Sequence, residues 1–257
     1  MVTRDTPWPT GTPCWIDLGV IDIPKARDFY RALFGWDVQD TPPEAGGYSM
    51  CLIDGKPVAG IGQSQGDMPI FWTTYLASEN ADETAAKIKA AGGRVMMEPF
   101  DVMDVGRMFI AVDPGGAFFG VWQAKAHSGM QRANEPGSLI WSENLSSNYE
   151  ANKAFYGSVF GYHFGDIGAE GVNYSTLDIG GRPVGGIGET GSGQQAAASW
   201  GTYFAVADTD AAVAKVTELG GSLIAPAWDS PYGRMAVVAD NQGAVFSLMS
   251  TDGDQEG

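Results

Sequence analysis

The sequence predicts an α+β protein made of two tandem βαβββ modules, and three observations predict it. Residues 48–62 (YSMCLIDGKPVAGIG) match residues 174–188 (YSTLDIGGRPVGGIG) at 9 of 15 positions. Trp72 and Trp200 continue the match at nearly the same spacing. Strand-like and helix-like segments follow the same order in both copies. A repeat this long indicates paired domains, since the repeats of solenoids are shorter.

The modules are predicted to span residues 10–125 and 137–251, with a linker at 126–136. The linker is polar, contains Gly129 and Pro136, and has no apolar periodicity. Such a composition is typical of a connecting segment between two folded units.

Each module is expected to begin with a strand and a helix. Residues 13–20 (PCWIDLGV) are mostly apolar and begin with proline, as is common for a short strand. Asp22 followed by Pro24 indicates a helix start, because the aspartate can cap free N–H groups and proline suits the first turn. Apolar residues then recur at helical spacing until Gly35, where the helix is expected to end.

A hairpin is predicted next. Asp54 and Gly55 lie between residues 48–53 and 58–62, directly after the first of these segments. An Asp-Gly pair between apolar runs is a strong hairpin signal, because both residues tolerate the positive φ of a tight turn.

The rest of the first module is expected to supply three more strands and one helix. A strand is predicted at 69–77 and a helix at 81–91. Strands at 107–112 and 117–123 are joined by residues 113–116 (DPGG), a sequence typical of a tight turn.

The composition excludes several classes of function. The chain has 257 residues, 44% of them hydrophobic and 18% charged, as in an ordinary globular protein. Its net charge of −16 opposes binding to nucleic acids and to anionic membranes. No apolar run approaches the length of a membrane span. We therefore expect a soluble, cytoplasmic protein with no nucleic-acid or membrane partner.

Several motifs resemble the vicinal oxygen chelate superfamily, which includes glyoxalase I, extradiol dioxygenases and bleomycin resistance proteins. These are the Phe29-Tyr30 helix ending in Phe34-Gly35, the Gly92-Gly93 pair and the Asp113-Pro114 turn. The order of elements agrees, and within the superfamily the chain more closely resembles two-module actinobacterial glyoxalase-like proteins. The resemblance implies paired cup-shaped mixed sheets, with the two modules facing each other around a cavity.

The resemblance also implies where a metal would bind. Metal-dependent members use His or Gln on a first strand and Glu on a last strand. The corresponding residues in this chain are Trp15, Gly120, Trp141 and Ser247. Indole only donates hydrogen bonds, glycine has no side chain, and an isolated serine is a poor ligand. We therefore expect no metal site and no cofactor.

Two carboxylates are candidates for acid–base catalysis. Residues two apart on a strand share a face, so Asp17 lies beside Trp15, and Glu143 lies beside Trp141. A carboxyl group in an apolar cavity has a raised pKa and can exchange protons near neutral pH. The alternative is structural: both could cap backbone groups or pair with Arg107 and Arg234.

Two arginines and several tryptophans are candidates for binding a ligand. Arg107 and Arg234 occupy repeated Gly-Arg-Met segments and could hold an anionic oxygen, or could form ion pairs at a strand end. The tryptophans could stack a flat ligand or pack in the core. They are Trp15, Trp72, Trp122, Trp141 and Trp200.

Three functions remain open from the sequence. The preferred one is binding of a flat or hydrophobic small molecule in apolar, aromatic-lined cavities. The second is a metal-free lyase, isomerase or cyclase that uses Asp17 or Glu143 as acid or base. The third is a metal-dependent lyase or dioxygenase with displaced ligands. A monomer is expected, since two modules in one chain supply the pair that single-module relatives form by dimerisation.

Overall fold

The computed structural model describes the chain with few gaps. The residues it does not describe are 43, 45, 65–68, 169–170, 191–196 and 252–257. The described residues form four helices and 18 strands, and most of the strands belong to two eight-stranded mixed sheets. None of the described helices is long and apolar enough to cross a membrane.

The first sheet is formed by eight strands of the first module. In chain order they are β2 (Pro13–Val20), β3 (Asp37–Asp40), β4 (Ser49–Ile53), β5 (Lys56–Gln63), β6 (Trp72–Ala77), β7 (Arg94–Val102), β8 (Gly106–Val112) and β9 (Phe118–Ala124). Helix α1 (Ile23–Phe34) follows β2, and helix α2 (Ala81–Ala90) follows β6. In space the strand order is β3-β4-β5-β2-β6-β9-β8-β7.

The second sheet repeats this arrangement. Its strands are β11 (Leu139–Ser146), β12 (His163–Asp166), β13 (Tyr174–Ile179), β14 (Arg182–Glu189), β15 (Ser199–Ala205), β16 (Ser222–Ser230), β17 (Gly233–Ala239) and β18 (Val245–Ser250). Helix α3 (Tyr149–Phe160) follows β11, and helix α4 (Thr209–Glu218) follows β15. The spatial order is β12-β13-β14-β11-β15-β18-β17-β16.

The α+β prediction with two tandem modules and mixed sheets is confirmed, with one refinement. Each module contains the βαβββ unit twice, because β2 and β6 each begin a strand–helix–three-strand unit. Strands β3 and β7 were not predicted from the sequence. Both are outer strands of the sheet and carry mainly exposed side chains, so they lack the apolar run that marks the inner strands.

Local sequence signals account for the first helix and the first hairpin. The Asp22 carboxylate accepts a hydrogen bond from the Lys25 amide at 2.9 Å, and Gly35 ends α1 with φ 72°. The turn between β4 and β5 has φ 49° at Asp54 and φ 76° at Gly55, which fits the predicted Asp-Gly hairpin.

Two linker residues form a short strand that pairs with a strand at the N-terminus. Strand β1 (Val2–Thr3) pairs with β10 (Arg132–Ala133) in antiparallel fashion. The indole of Trp8 donates a hydrogen bond to the carbonyl of Met130 at 2.9 Å. The N-terminal segment is thus held against the connection between the modules.

The two modules contact each other through the helix-bearing faces of their sheets. The ring of Trp72 lies 5.1 Å from that of Phe204, and Phe119 lies 5.6 Å from Tyr156. The opposite faces, which carry Trp15 and Trp141, therefore lie on the outer sides of the pair. This corrects the expectation that the modules face each other around a cavity, because the facing surfaces are filled by core side chains.

The interface between the modules contains two buried aspartates. Tyr156 of α3 donates a hydrogen bond to Asp113 of the first module at 2.9 Å, and Tyr30 of α1 donates to Asp240 of the second at 2.9 Å. Both carboxyl groups are buried. In each module, the tyrosine of the Phe-Tyr helix thus contacts the aspartate turn of the other module. The same contact is therefore formed twice at the interface.

Candidate functional site

We call the face of the first sheet that carries Trp15, Asp17 and Tyr75 the first cup face. A hydrogen-bonded cluster lies on it. The Trp15 indole donates to the Tyr48 hydroxyl at 2.9 Å. The hydroxyls of Tyr48 and Tyr75 donate to Oδ2 of Asp17 at 3.5 Å and 3.1 Å. One carboxylate is therefore held by two phenols beside an indole, as the spacing of Trp15 and Asp17 predicts for residues on one face.

The second cup face, which carries Trp141, Glu143 and Tyr203, repeats the cluster. The Trp141 indole donates to the Tyr174 hydroxyl at 2.9 Å, and that hydroxyl donates to Oε2 of Glu143 at 2.7 Å. Tyr203 donates to Oε1 of Glu143 at 2.5 Å. The structure thus brings both predicted carboxylates next to their tryptophans.

The four tyrosines of these clusters were not predicted as site residues from the sequence. Tyr48 and Tyr174 are the first residues of the two matching 15-residue segments, and Tyr75 matches Tyr203 at the spacing that relates Trp72 to Trp200. The internal repeat could have identified them, because polar aromatic residues kept at equivalent positions on two strands are candidates for a shared site.

Glycines allow the tyrosine rings to lie flat on the sheet. A Cβ added at Gly60 or Gly120 would overlap the side chain of Tyr48 or Tyr75. In the second module, a Cβ at Gly188 would lie 2.7 Å from the Tyr174 ring. The Gly-Ile-Gly segments of β5 and β14 thus make room for the aromatic floor of each cup face.

Burial changes the acidity of both carboxyl groups. Burial raises the pKa of Asp17 from 3.8 to about 7, although the hydrogen bonds from Tyr75, Tyr48 and Thr73 oppose the rise. Burial likewise raises the pKa of Glu143, opposed by Tyr203 and Tyr174. The free-energy cost of desolvating the charged carboxylate exceeds the stabilisation that the phenol hydrogen bonds give it. Both carboxyl groups therefore hold a proton more tightly than an exposed one.

Arg107 and Arg234 lie away from both clusters. Arg107 donates to Asp82 of α2 at 2.9 Å, and Arg234 donates to Asp210 of α4 at 2.6 Å. Both therefore lie on the helix-bearing faces. The structure therefore does not bring the two arginines to Asp17 and Glu143, whose hydrogen-bond partners are tyrosines. Both arginines form ion pairs near the end of a strand, which was the second interpretation of these residues.

Trp72 and Trp200 are also placed in the core. Trp72 donates to the Tyr30 hydroxyl at 3.2 Å, and Trp200 donates to the Tyr156 hydroxyl at 2.8 Å. Trp72 and Tyr75 are an odd number of residues apart on β6, so their side chains point to opposite faces. Of the two alternatives that the sequence left open for Trp72 and Trp200, packing in the core is therefore the one the structure shows.

Trp122 lies on the first cup face and is covered by a linker residue. Its indole donates to the carbonyl of His127 at 2.9 Å. The His127 ring packs edge-on against Trp15, at 4.5 Å between ring centroids, and lies 5.6 Å from Trp122. Burial lowers the pKa of His127 to about 4, so its imidazole is neutral at pH 7. His127 belongs to the predicted linker, 126–136, and its contact with Trp15 was not predicted from the sequence.

The residues at the four metal-ligand positions do not fit a metal ion. The indoles of Trp15 and Trp141 are hydrogen-bond donors to tyrosines. A side chain at Gly120 would overlap Tyr75, and Ser247 pairs in register with Tyr203. Among the described residues there is no group of three or more His, Cys, Asp or Glu side chains that could hold an ion.

Comparison with protein families identifies both modules. Residues 14–121 and 145–248 match the family described as the Glyoxalase/Bleomycin resistance protein/Dioxygenase superfamily. The protein "Putative glyoxylase CFP32" of Mycobacterium tuberculosis is 42% identical over 248 residues, covering 93% of this chain and 94% of that protein. The "Anthracycline biosynthesis protein DnrV" of Streptomyces peucetius is 38% identical, covering 96% and 95%.

Solved structures share the fold at low sequence identity. The Mn(II)-bound glyoxalase of Novosphingobium aromaticivorans has a TM-score of 0.66 and 15% identity, over 94% of this chain and 83% of that one. The 2,3-dioxygenase LapB of Pseudomonas sp. KL28 has a TM-score of 0.65 and 12% identity, over 95% and 93%. At this identity the likeness concerns the fold alone.

Proposed function

Because this chain belongs to the glyoxalase, bleomycin resistance protein and dioxygenase superfamily, we propose that it binds a flat or hydrophobic small molecule on its cup faces. The observation that carries the proposal is the indole–phenol–carboxylate cluster on each cup face. Aromatic floors favour flat ligands, and the carboxylate at the centre supplies a polar contact that orients them.

Two further observations support this class of ligand. One relative at 38% identity is named for anthracycline biosynthesis, which agrees with a flat polycyclic ligand. The net charge of −16 favours neutral or cationic molecules over anions. The placement of Arg107 and Arg234 on the helix-bearing faces leaves the two clusters without an arginine to bind an anionic group.

A panel of flat compounds tests the proposal. We expect 2-hydroxyanthraquinone and 1-aminonaphthalene to quench tryptophan fluorescence saturably, since indoles border both clusters. Arg107→Met is a matched control on the opposite sheet face and should leave the affinity unchanged. Failure of every flat compound to bind saturably would contradict the proposed function.

Metal-free catalysis is the second candidate, and the raised pKa of Asp17, about 7, favours it. Such a carboxyl group is partly protonated at neutral pH and can give or accept a proton. Asp17→Asn combined with Glu143→Gln should then abolish turnover of a bound ligand while binding persists. If instead the wild-type protein returns its ligand chemically unchanged, binding alone is the function.

The pH dependence of stability provides an independent test of Asp17. Its pKa is higher in the folded protein than in the unfolded chain, so folded molecules bind more protons between about pH 4 and 7. The free energy of unfolding should therefore fall as the pH rises through this window, by about 1.4 kcal/mol for each pKa unit of difference. Urea denaturation at several pH values would show a smaller fall for Asp17→Asn. An unchanged pH profile would contradict the raised pKa.

A further inference from the structure

The two cup faces differ in how much of their aromatic floor is exposed. In the first, Trp15 and Tyr75 are 4% and 5% exposed, and the His127 ring lies against Trp15. In the second, the equivalent Trp141 and Tyr203 are half-buried. A ligand can therefore reach more of the indole and phenol surface on the second cup face.

An exposed tryptophan extends the second cup face. Trp228 of β16 is 39% exposed and stands opposite Met235, which in turn stands opposite Met249. Residues directly opposite on neighbouring antiparallel strands share a face. Met249 is two residues from Ser247, which pairs in register with Tyr203. Trp228 and Tyr203 therefore lie on the same face of the sheet.

The distance between these two aromatic groups sets the size of a ligand that reaches both. Three strand spacings separate β15 from β16 in the order β15-β18-β17-β16. At about 4.8 Å for each spacing, the two strands lie roughly 14 Å apart across the sheet. Trp228 aligns with Ala205, so Tyr203 is offset by a further ~7 Å along its strand. A molecule that stacks on Trp228 and reaches the cluster must therefore have several fused rings.

The hydrogen bonds of the second cluster determine which polar group the ligand should carry. The Trp141 indole and the hydroxyls of Tyr174 and Tyr203 all donate within the cluster, and the last two donate to Glu143. Their donor hydrogens are used, while the carboxylate oxygens keep further lone pairs. Glu143 itself is only 7% exposed, so the half-buried hydroxyl oxygen of Tyr203 is the acceptor of the cluster that a ligand can reach first.

We propose that the second cup face binds a fused-ring aromatic molecule that stacks on Trp228 and donates a phenolic or amine hydrogen bond to the Glu143 cluster. This inference rests on the proposed function and adds the cup face, the stacking residue and the polar group of the ligand. Trp228 is a contact residue here and has no part in the core of the protein.

The first module supplies a matched control. Phe100 of β7 is 40% exposed and stands opposite Met108, as Trp228 stands opposite Met235. Isothermal titration with 2-hydroxyanthraquinone should show an affinity loss of about tenfold or more for Trp228→Ala, since a large stacking contact is lost. Phe100→Ala should stay near the wild-type affinity, and Trp228→Phe should keep most of it.

The polar group is tested with 2-methoxyanthraquinone, which lacks the donor. Wild-type protein should prefer the hydroxy compound, and Glu143→Gln should reduce this preference, whereas Glu218→Gln on the exposed side of α4 should keep it. Unchanged affinity in Trp228→Ala, or an equal loss in Phe100→Ala, would overturn the inference while the proposed function survives. If neither compound binds wild-type protein, both fail.

Discussion

Asp113→Ala is expected to lower the free energy of unfolding by at least about 3 kcal/mol, because a buried group with many partners is removed. Its Oδ1 accepts from the amides of Gly116 and Ala117, each at 2.9 Å. Its Oδ2 accepts from Asn144 at 2.8 Å and Asn152 at 3.0 Å. The Tyr156 hydroxyl is a further donor at 2.9 Å. The variant removes the acceptor of the Ala117 amide, the Asn144 amide and the Tyr156 hydroxyl, while Gly116 and Asn152 each keep a second acceptor.

The effect should extend to the contact between the modules. The Asp113 turn belongs to the first module, while Asn144, Asn152 and Tyr156 belong to the second. Urea denaturation measures the loss of stability, and limited proteolysis of the linker would report separation of the modules. Asp113→Asn, which keeps an acceptor oxygen and the side-chain shape, should cost less than Asp113→Ala.

The repeat again supplies a matched control. Asp240 accepts from the Tyr30 hydroxyl and from the amides of Gln242 and Ala244, and thus has fewer donors than Asp113. Asp240→Ala should therefore be the milder variant. An Asp113→Ala protein as stable as Asp240→Ala would show that the two asparagines contribute little.

Gly120→Ala is expected to destabilise the protein by about 1–3 kcal/mol through overpacking. The added Cβ would overlap the Tyr75 ring, and that ring is held in place by the 3.1 Å hydrogen bond to Asp17. Either the ring moves and the hydrogen bond is lost, or the strand is displaced. Urea denaturation measures the cost, and ligand binding should weaken with it.

Two further variants identify the cause. In a Tyr75→Ala background the same Gly120→Ala change should cost much less, because the space is vacated. Ser247 occupies the equivalent position opposite Tyr203 and already has a Cβ, so Ser247→Ala should change stability only slightly. A large cost for Gly120→Ala that persists without the Tyr75 ring would instead indicate a backbone requirement for glycine.

The candidate site could be predicted in part. Strand periodicity correctly placed Asp17 beside Trp15, and Glu143 beside Trp141. It could not bring Tyr48 to Asp17, because 31 residues separate them and only the pairing of β4, β5 and β2 brings them together. It also could not assign Trp72 to the core, because both faces of β6 carry aromatic side chains.

The sequence alone determined the duplication, the order of most elements, the helix cap at Asp22 and the Asp-Gly hairpin, since each of these depends on residues near one another in the chain. Tertiary structure decided which sheet face carries the helices and which is turned outward. That choice depends on long-range packing, in which Trp72 contacts Phe204 of the other module. The same packing put Arg107 and Arg234 beside aspartates of α2 and α4, and it left Asp17 and Glu143 with tyrosine partners. The partners of a side chain are set by the elements that lie next to it in space, which the sequence order does not reveal.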